Sequence, residues 1–282
     1  MNNEQTITVF DKESAFELAL CDILTQHGWE EEVLVQPSEE ELMQNWADII
    51  YANNREQERL GNYPLTATEM QQIINQVNIW HSPYEINKRI NARYICIKRD
   101  NPDDVVNCGK EVYLKLFDAD EISAGQSRYQ IVRQPRFKAT HPLAGDRRGD
   151  VMLLINGMPL YHIELKRSRV DVSQAVFQIK RYMHEGVFSR GIFSMVQVFV
   201  AMTPEKTVYF ANPGSEAGFL TEFQFHWADF NNAAINDWYR VTTDFLNIPM
   251  AHQIIGYYTI ADDKDQNLKV LRSYQYYEAS KI

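Results

Sequence analysis

The stretch "GDVMLLINGMPLYHIELKRS", residues 149–168, decides how the rest of the chain is read. Two apolar runs flank Asn156-Gly157, and Asn-Gly between such runs is the strongest short-range signal of a β-hairpin. Yet the first run opens on Asp150, and the second closes on Glu164 and Lys166. Strand side chains alternate faces, so Leu160, His162, Glu164 and Lys166 share one side. Whether Asp150 joins them depends on the turn. A symmetric two-residue loop pairs 150 with 163 and sets the two carboxylates on opposite faces. An odd-length loop or a bulge around Asn156-Gly157, with Gly157 in the left-handed region, pairs 150 with 162 or 164. The expectation is the second arrangement, in which Asp150, Glu164 and Lys166 converge.

Two carboxylates at the end of a buried element repel each other unless a cation or a proton neutralises them. A hard divalent cation answers this most simply. Asp150, Glu164 and the carbonyl of Leu165 supply oxygen ligands, and waters complete an octahedron that suits Mg²⁺. Lys166 beside the ion could orient or deprotonate an attacking water and stabilise charge on a phosphoryl oxygen. The chemistry implied is metal-assisted hydrolysis of a phosphodiester; the bland alternative is a salt bridge at a strand end. Gln178 and Tyr182 lie four apart on the following helix, with Gln174 a turn earlier, placed to orient the lysine or touch DNA. Glu17, on the first helix, is a candidate further acidic ligand or holder of a metal-bound water. His162 reads as a packed strand histidine and stays outside the ligand set.

Composition narrows the surroundings. With 282 residues, 45% of them hydrophobic, the chain can bury one large core or one core with an appendage. The formal net charge of −10 argues against nucleic acid at first sight. Residues 126–190 nevertheless hold twelve basic and five acidic side chains, an excess of seven positive charges around the hairpin. Such a segment is the footprint that phosphate binding needs. Arg147, Arg148, Arg167, Lys180 and Arg181 are the candidates nearest the site for contact with DNA. No apolar run is long enough to span a membrane. The opening MNNEQTITVFDKES lacks the basic and apolar regions of a signal peptide. Cys21, Cys96 and Cys108 are too few for a disulfide framework or a zinc site, so a reducing cytoplasm fits best.

Along the chain, Phe16, Leu20, Ile23 and Leu24 form one stripe of a helix over 13–27, closed by Gly28. An acidic, helix-rich region follows over about 30–85, where Ser38 and Glu41 have capping-box spacing. Strands are expected at YICIKR, EVYLKLFDA and RYQIVRQPRF, then the hairpin, a helix over 172–186, and strands at MVQVFVAM and TVYFAN. The stretch from 216 reads as mostly helical and aromatic. Strands mixed with helices, with one strand–helix–strand crossover, indicate an α/β domain with a mixed sheet.

Asp150 followed by Glu164-x-Lys166 resembles the PD-(D/E)xK nuclease signature. The words around it, "GDVMLLINGMPLYHIELKRS", "QAVFQIKRY", "VYFANPG", "FQFHWADFNN" and "INDWYRVTTDFL", resemble the N-terminal nuclease region of the restriction (R, motor) subunits of type I restriction–modification enzymes. The resemblance implies a restriction-endonuclease-like mixed sheet flanked by helices, with added helical segments. It implies Asp150 and Glu164 as metal ligands, Lys166 as the catalytic lysine, and Gln178 and Tyr182 as an accessory motif. It implies Mg²⁺ as cofactor, unmodified foreign duplex DNA as substrate, and methylation and specificity subunits as partners. In that family an ATP-hydrolysing helicase motor follows, and a glutamine matching Gln275 lies near the adenine. No G-x-x-x-x-G-K-[ST] occurs in the chain, which closes on LRSYQYYEASKI. The expected organisation is therefore an endonuclease domain over 1–260 with its core at about 125–215. Residues 261–282 would be a linker and first helix leading into a motor outside the sequence, so ATP would serve only the full-length subunit. Two other readings compete: a repair nuclease of the same superfamily, and a catalytically silent DNA-binding or assembly module.

Overall fold

The apolar stripe of the first helix becomes α1 (Glu13–Gln26), with Phe16, Leu20 and Leu24 fully buried. The computed structural model describes residues 8–121, 127–138 and 145–279. After α1 come β1 (Leu34–Val35), α2 (Glu39–Ala52), α3 (Ala67–Ile79) and α4 (Pro83–Asn91). The expected capping box starts α2: Ser38 Oγ accepts from the Glu41 N–H, and Glu41 Oε2 accepts from the Ser38 N–H. Strands β2 (Tyr94–Lys98) and β3 (Glu111–Lys115) pair with each other as a separate ribbon. Arg99 is buried beside that ribbon, held by Glu69 at 2.5 Å and Asp104 at 3.1 Å, both also buried.

The main sheet follows: β4 (Tyr129–Arg133), β7 (Val151–Ile155), β8 (Met158–Leu165), β9 (Val198–Thr203) and β10 (Lys206–Ala211). The short pieces β5 (Arg136–Phe137) and β6 (Arg147–Arg148) pair beside it. The strand expected over 128–137 breaks because Gln134 adopts a positive φ of 55° ahead of Pro135. With β1 the main sheet has six strands in the order β1-β4-β7-β8-β9-β10. The β1–β4 and β8–β9 pairs are parallel and the others antiparallel, which is the expected mixed sheet.

Every residue of β7, β8 and β9 is buried, so these central strands are covered on both faces. Helix α5 (Ser173–His184) forms the crossover between the parallel strands β8 and β9. Beyond β10 lie α6 (Trp238–Phe245) and α7 (Met250–Gly256). Tyr161 on β8 donates to the Ala251 carbonyl of α7, while its neighbour His162 stands beside Tyr182 of α5. The two helices therefore cover opposite faces of the sheet.

The stretch 216–260, expected to be mostly helical, holds only these two short helices together with turns and isolated bridges. The stretch 261–282, expected as a linker and a helix, includes most of a β-hairpin, β11 (Thr259–Asp262) and β12 (Asn267–Val270), before α8 (Ser273–Ala279). Residues 280–282 of the expected terminal helix lie outside the described residues.

Candidate active site

The hairpin turn decides whether the charged residues meet. Its loop has two residues, because Ile155 pairs with Met158, and both Asn156 (φ 52°) and Gly157 (φ 80°) are left-handed. An odd-length loop is therefore not what forms. The register is corrected further along: Leu154 faces Pro159 but Leu153 faces Tyr161, so Leu160 is an extra, unpaired residue. Past this bulge Val151 faces Ile163, which sets Asp150 opposite Glu164 on one face. Leu160 is not left unbonded, since its carbonyl accepts the Gln197 N–H at 2.9 Å. The tip is locked against α2, where a Cβ on Gly157 would stand 2.9 Å from Trp46 Cα.

At the charged end, Asp150 Oδ2 accepts the Leu165 N–H at 2.7 Å, and the Asp150 carbonyl accepts the Gln134 N–H at 2.7 Å. Lys166 Nζ lies 2.7 Å from the Leu165 carbonyl, 3.4 Å from Glu164 Oε1 and 3.8 Å from Glu13 Oε1. Glu164 is fully buried, and its Oε2 has no hydrogen-bond partner among the described residues. Burial holds the Asp150 carboxyl well above the usual carboxylate range and the Glu164 charge pushes it further, against the Leu165 N–H and Lys166. Burial pushes Glu164 up to about 7, against the pull of Lys166. Mutual repulsion was the expected cause of such shifts; burial is the larger one. Both carboxyls thus favour their protonated forms unless a positive charge joins them.

The donor set fits Mg²⁺ in kind, because that ion keeps several waters and commonly takes only one or two carboxylates. Asp150, Glu164 and the Leu165 carbonyl are what converge. Among the described residues no group of three or more His, Cys, Asp or Glu is arranged to hold a metal ion. Glu17 is buried nearby, but its oxygens are engaged by Gln134 Nε2 at 3.2 Å and Arg133 Nε at 3.3 Å. Its carboxyl is raised by burial, with Gln134 opposing and the Asp150 charge adding.

Gln178 and Tyr182 do act together, although not on the lysine. Gln178 Nε2 donates to the Tyr182 hydroxyl at 2.7 Å, and that hydroxyl donates to the Arg148 carbonyl at 2.6 Å. Helix α5 therefore clamps the chain two residues before Asp150. The basic candidates divide. Arg147 forms a two-pronged pair with Glu185 at 2.9 and 3.0 Å, Arg181 reaches the same carboxylate at 3.2 Å, and Lys180 lies 3.6 Å from Glu216. Arg148 and Arg167 are exposed beside Asp150 and Lys166, with no ion pair among the described residues. Gln275 is far along the chain from these groups. Its Oε1 accepts the Arg272 N–H, and it lines a cavity of about 440 Å³ with Phe223, Phe225 and Arg272.

Sequence reasoning passed over two residues here. Glu13 beside Lys166 carried no motif. Gln134 binds Asp150 through its main chain and Glu17 through its side chain from a left-handed backbone, which no sequence pattern announced. His162, expected as a packed strand histidine, is fully buried among aromatic rings; it lies 3.3 Å from Glu164 Oε2, and burial lowers its imidazole to about 4.

The family described as the type I restriction enzyme R protein N terminus matches residues 12–217. The chain is 30% identical over 268 residues to the SauMSSORF170P type I restriction enzyme endonuclease subunit of Staphylococcus aureus, covering 95% of this chain and 26% of that protein. The SsaAORF53P endonuclease subunit of Staphylococcus saprophyticus is likewise 30% identical over 270 residues. The EcoprrI endonuclease subunit of Escherichia coli is 32% identical over 174 residues, 61% of this chain and 53% of that protein. The chain thus spans about a quarter of the length of its staphylococcal relatives. A match over most of its length, on a mixed sheet that brings Asp150, Glu164 and Lys166 to one strand end, places the chain in the family of type I restriction enzyme R protein N termini.

Proposed function

We propose that this chain is the Mg²⁺-dependent endonuclease portion of a type I restriction enzyme R subunit and hydrolyses phosphodiesters of unmodified foreign duplex DNA in the cytoplasm. The observation that carries the reading is the convergence of Asp150, Glu164 and Lys166 past the Leu160 bulge, a half-buried and a fully buried carboxyl of raised pKa with an ammonium 3.4 Å from the second. Asp150, Glu164 and the Leu165 carbonyl hold the cation, with Glu17 behind them as a second carboxylate layer. When bound, Mg²⁺ supplies Lewis-acid stabilisation of the phosphoryl oxygen and a more acidic water. Lys166, released from the Leu165 carbonyl, orients the attacking water and meets charge developing on the phosphate. Gln178 and Tyr182 hold the Asp150 strand in place through the Arg148 carbonyl. Arg148 and Arg167 take DNA phosphates directly, whereas Arg147, Lys180 and Arg181 do so only by giving up Glu185 and Glu216.

In the complete subunit, residues 261–282 lead from this domain into an ATP-driven translocase, and Gln275 contributes to its adenine site. Methylation and specificity subunits supply sequence recognition. The test is Asp150→Ala, Glu164→Ala and Lys166→Ala in the assembled enzyme. Each is expected to abolish DNA cleavage while leaving ATP hydrolysis and the circular dichroism spectrum unchanged. Full cleavage by any of the three rejects the assignment.

A further inference from the structure

His162 is fully buried, and neither ring nitrogen has a hydrogen-bond partner among the described residues. Its ring sits in an aromatic box, with centroid distances of 5.2 Å to Phe188, 6.0 Å to Phe137 and Tyr182, and 6.1 Å to Phe199. Gly149 closes the box: a Cβ there would stand 2.7 Å from His162 Cε1. The imidazole is thus wedged between the two strand ends that carry Asp150 and Glu164. Two charged neighbours reach it: the Asp150 carboxyl acts on it through its charge, and Glu164 Oε2, without a hydrogen-bond partner among the described residues, lies 3.3 Å from Nε2 without the alignment of a hydrogen bond.

A box of four aromatic rings would pack around Phe or Leu, and burying a polar group without a partner costs about 1–3 kcal/mol. At pH 8 an imidazole is neutral and carries one proton. On Nδ1, that proton would be a buried donor aimed at hydrocarbon, and the Nε2 lone pair would face a carboxyl oxygen. On Nε2, it faces Oε2, and only an acceptor lone pair stays unmet, the less costly orphan. We propose that His162 is a positioning residue: as the Nε2–H tautomer it donates to Glu164 Oε2 and so keeps Oε1 turned toward Lys166 and the cation. A small rotation of the ring aligns Nε2–H with Oε2. The inference rests on the reading of Glu164 as a metal ligand. Ligating carboxylates are commonly oriented by such outer partners.

The test uses the 282-residue chain labelled with ¹⁵N at histidine, the His162 signal being identified by its loss in His162→Gln. At pH 8 the expected signal is protonated at Nε2 and bare at Nδ1, and it shifts when Mg²⁺ is added. Calorimetric titration with MgCl₂ should find His162→Phe, which fills the volume without a donor, weakened by roughly 10–100-fold. His162→Gln, whose amide nitrogen reaches the place of Nε2, should stay within about threefold of wild type. A proton on Nδ1, or unchanged Mg²⁺ affinity in His162→Phe, overturns the role of His162 while leaving the metal site standing. Wild-type protein that takes up no Mg²⁺ overturns the metal site itself. If His162→Phe does not fold, the tautomer of the wild type decides.

Discussion

Lys166 spans the Leu165 carbonyl and Glu164 Oε1, two of the oxygens assigned to the cation, so its ammonium supplies the positive charge that the site otherwise lacks. In the proposed site, Mg²⁺ would have to displace that ammonium and strip a proton from the carboxyl pair. The pH dependence follows. Glu164 is raised from 4.5 to about 7, so its protonated form stabilises the folded, metal-free protein. That contribution is complete below about pH 4.5 and is lost as pH rises through 7, at roughly 1.4 kcal/mol per pH unit for one proton. His162, lowered to about 4, works the opposite way and destabilises the fold as pH falls below 6.5. A comparison with Glu164→Gln isolates the carboxyl. In EDTA the variant should gain thermal stability relative to wild type as pH climbs from 5 to 8, and a constant difference would contradict the shift. Mg²⁺ affinity of the wild type should rise with pH as the two carboxyls, both raised, lose their protons.

At the scale of elements, the hairpin joins a rigid two-residue turn to a bulge at Leu160, three residues from Gly157 at one end and four from Glu164 at the other. The turn fixes where β8 starts, and the bulge resets which residues face each other. Pro159 was the available sign, because proline inside a buried central strand belongs at a bulge. Gly157 is constrained twice, by its positive φ and by Trp46, so Gly157→Ala should cost more than about 1 kcal/mol of stability. Urea unfolding would show it, and an unchanged midpoint would refute the packing. The α5 clamp is a subtler element. Tyr182→Phe removes the donor to the Arg148 carbonyl and should cost about 1 kcal/mol while lowering cleavage more than DNA binding. Equal losses in both assays would point to a DNA contact at the hydroxyl instead.

Over the whole molecule, the charge count changes meaning. The excess of basic residues over 126–190 is partly met by acids from elsewhere in the chain: Arg128 pairs with Glu30 at 2.5 Å, Arg133 with Glu17 at 3.3 Å, Arg136 with Glu41 at 3.6 Å, and Lys138 with Glu40. The acidic region over 30–41 is in this sense the counterpart of the basic segment, although exposed pairs such as Arg136–Glu41 and Lys138–Glu40 add little stability. DNA binding by the chain alone should then be weak and indifferent to sequence, with a Kd of roughly 10⁻⁴–10⁻⁶ M at physiological salt. Replacing both Arg148 and Arg167 with alanine should flatten the slope of log K against log salt by about 1.8, since each phosphate contact contributes about 0.9. Arg147→Ala should change it less. Filter binding across a salt series measures this, and an equal effect of Arg147→Ala would overturn the division between paired and free cations.

Much of this was local and therefore legible. Apolar periodicity placed α1, β4, β7, β8, α5, β9 and β10, the Ser38–Glu41 spacing placed the start of α2, and Asn156-Gly157 placed the turn, because each depends on neighbours within a few residues. Alternation along β8 put Glu164 and Lys166 on one face. Tertiary structure decided what depends on partners far along the chain. Asp150 joins that face only because the Leu160 bulge, bonded to Gln197, absorbs one residue of register. Glu17 is turned aside by Gln134 and Arg133, more than a hundred residues away, and Tyr182 holds a main-chain carbonyl and not the lysine. The reason is physical: strand propensity and turn chemistry act through adjacent dihedrals, whereas the direction of a buried carboxylate is set by whichever distant donors the packed core brings within hydrogen-bonding distance.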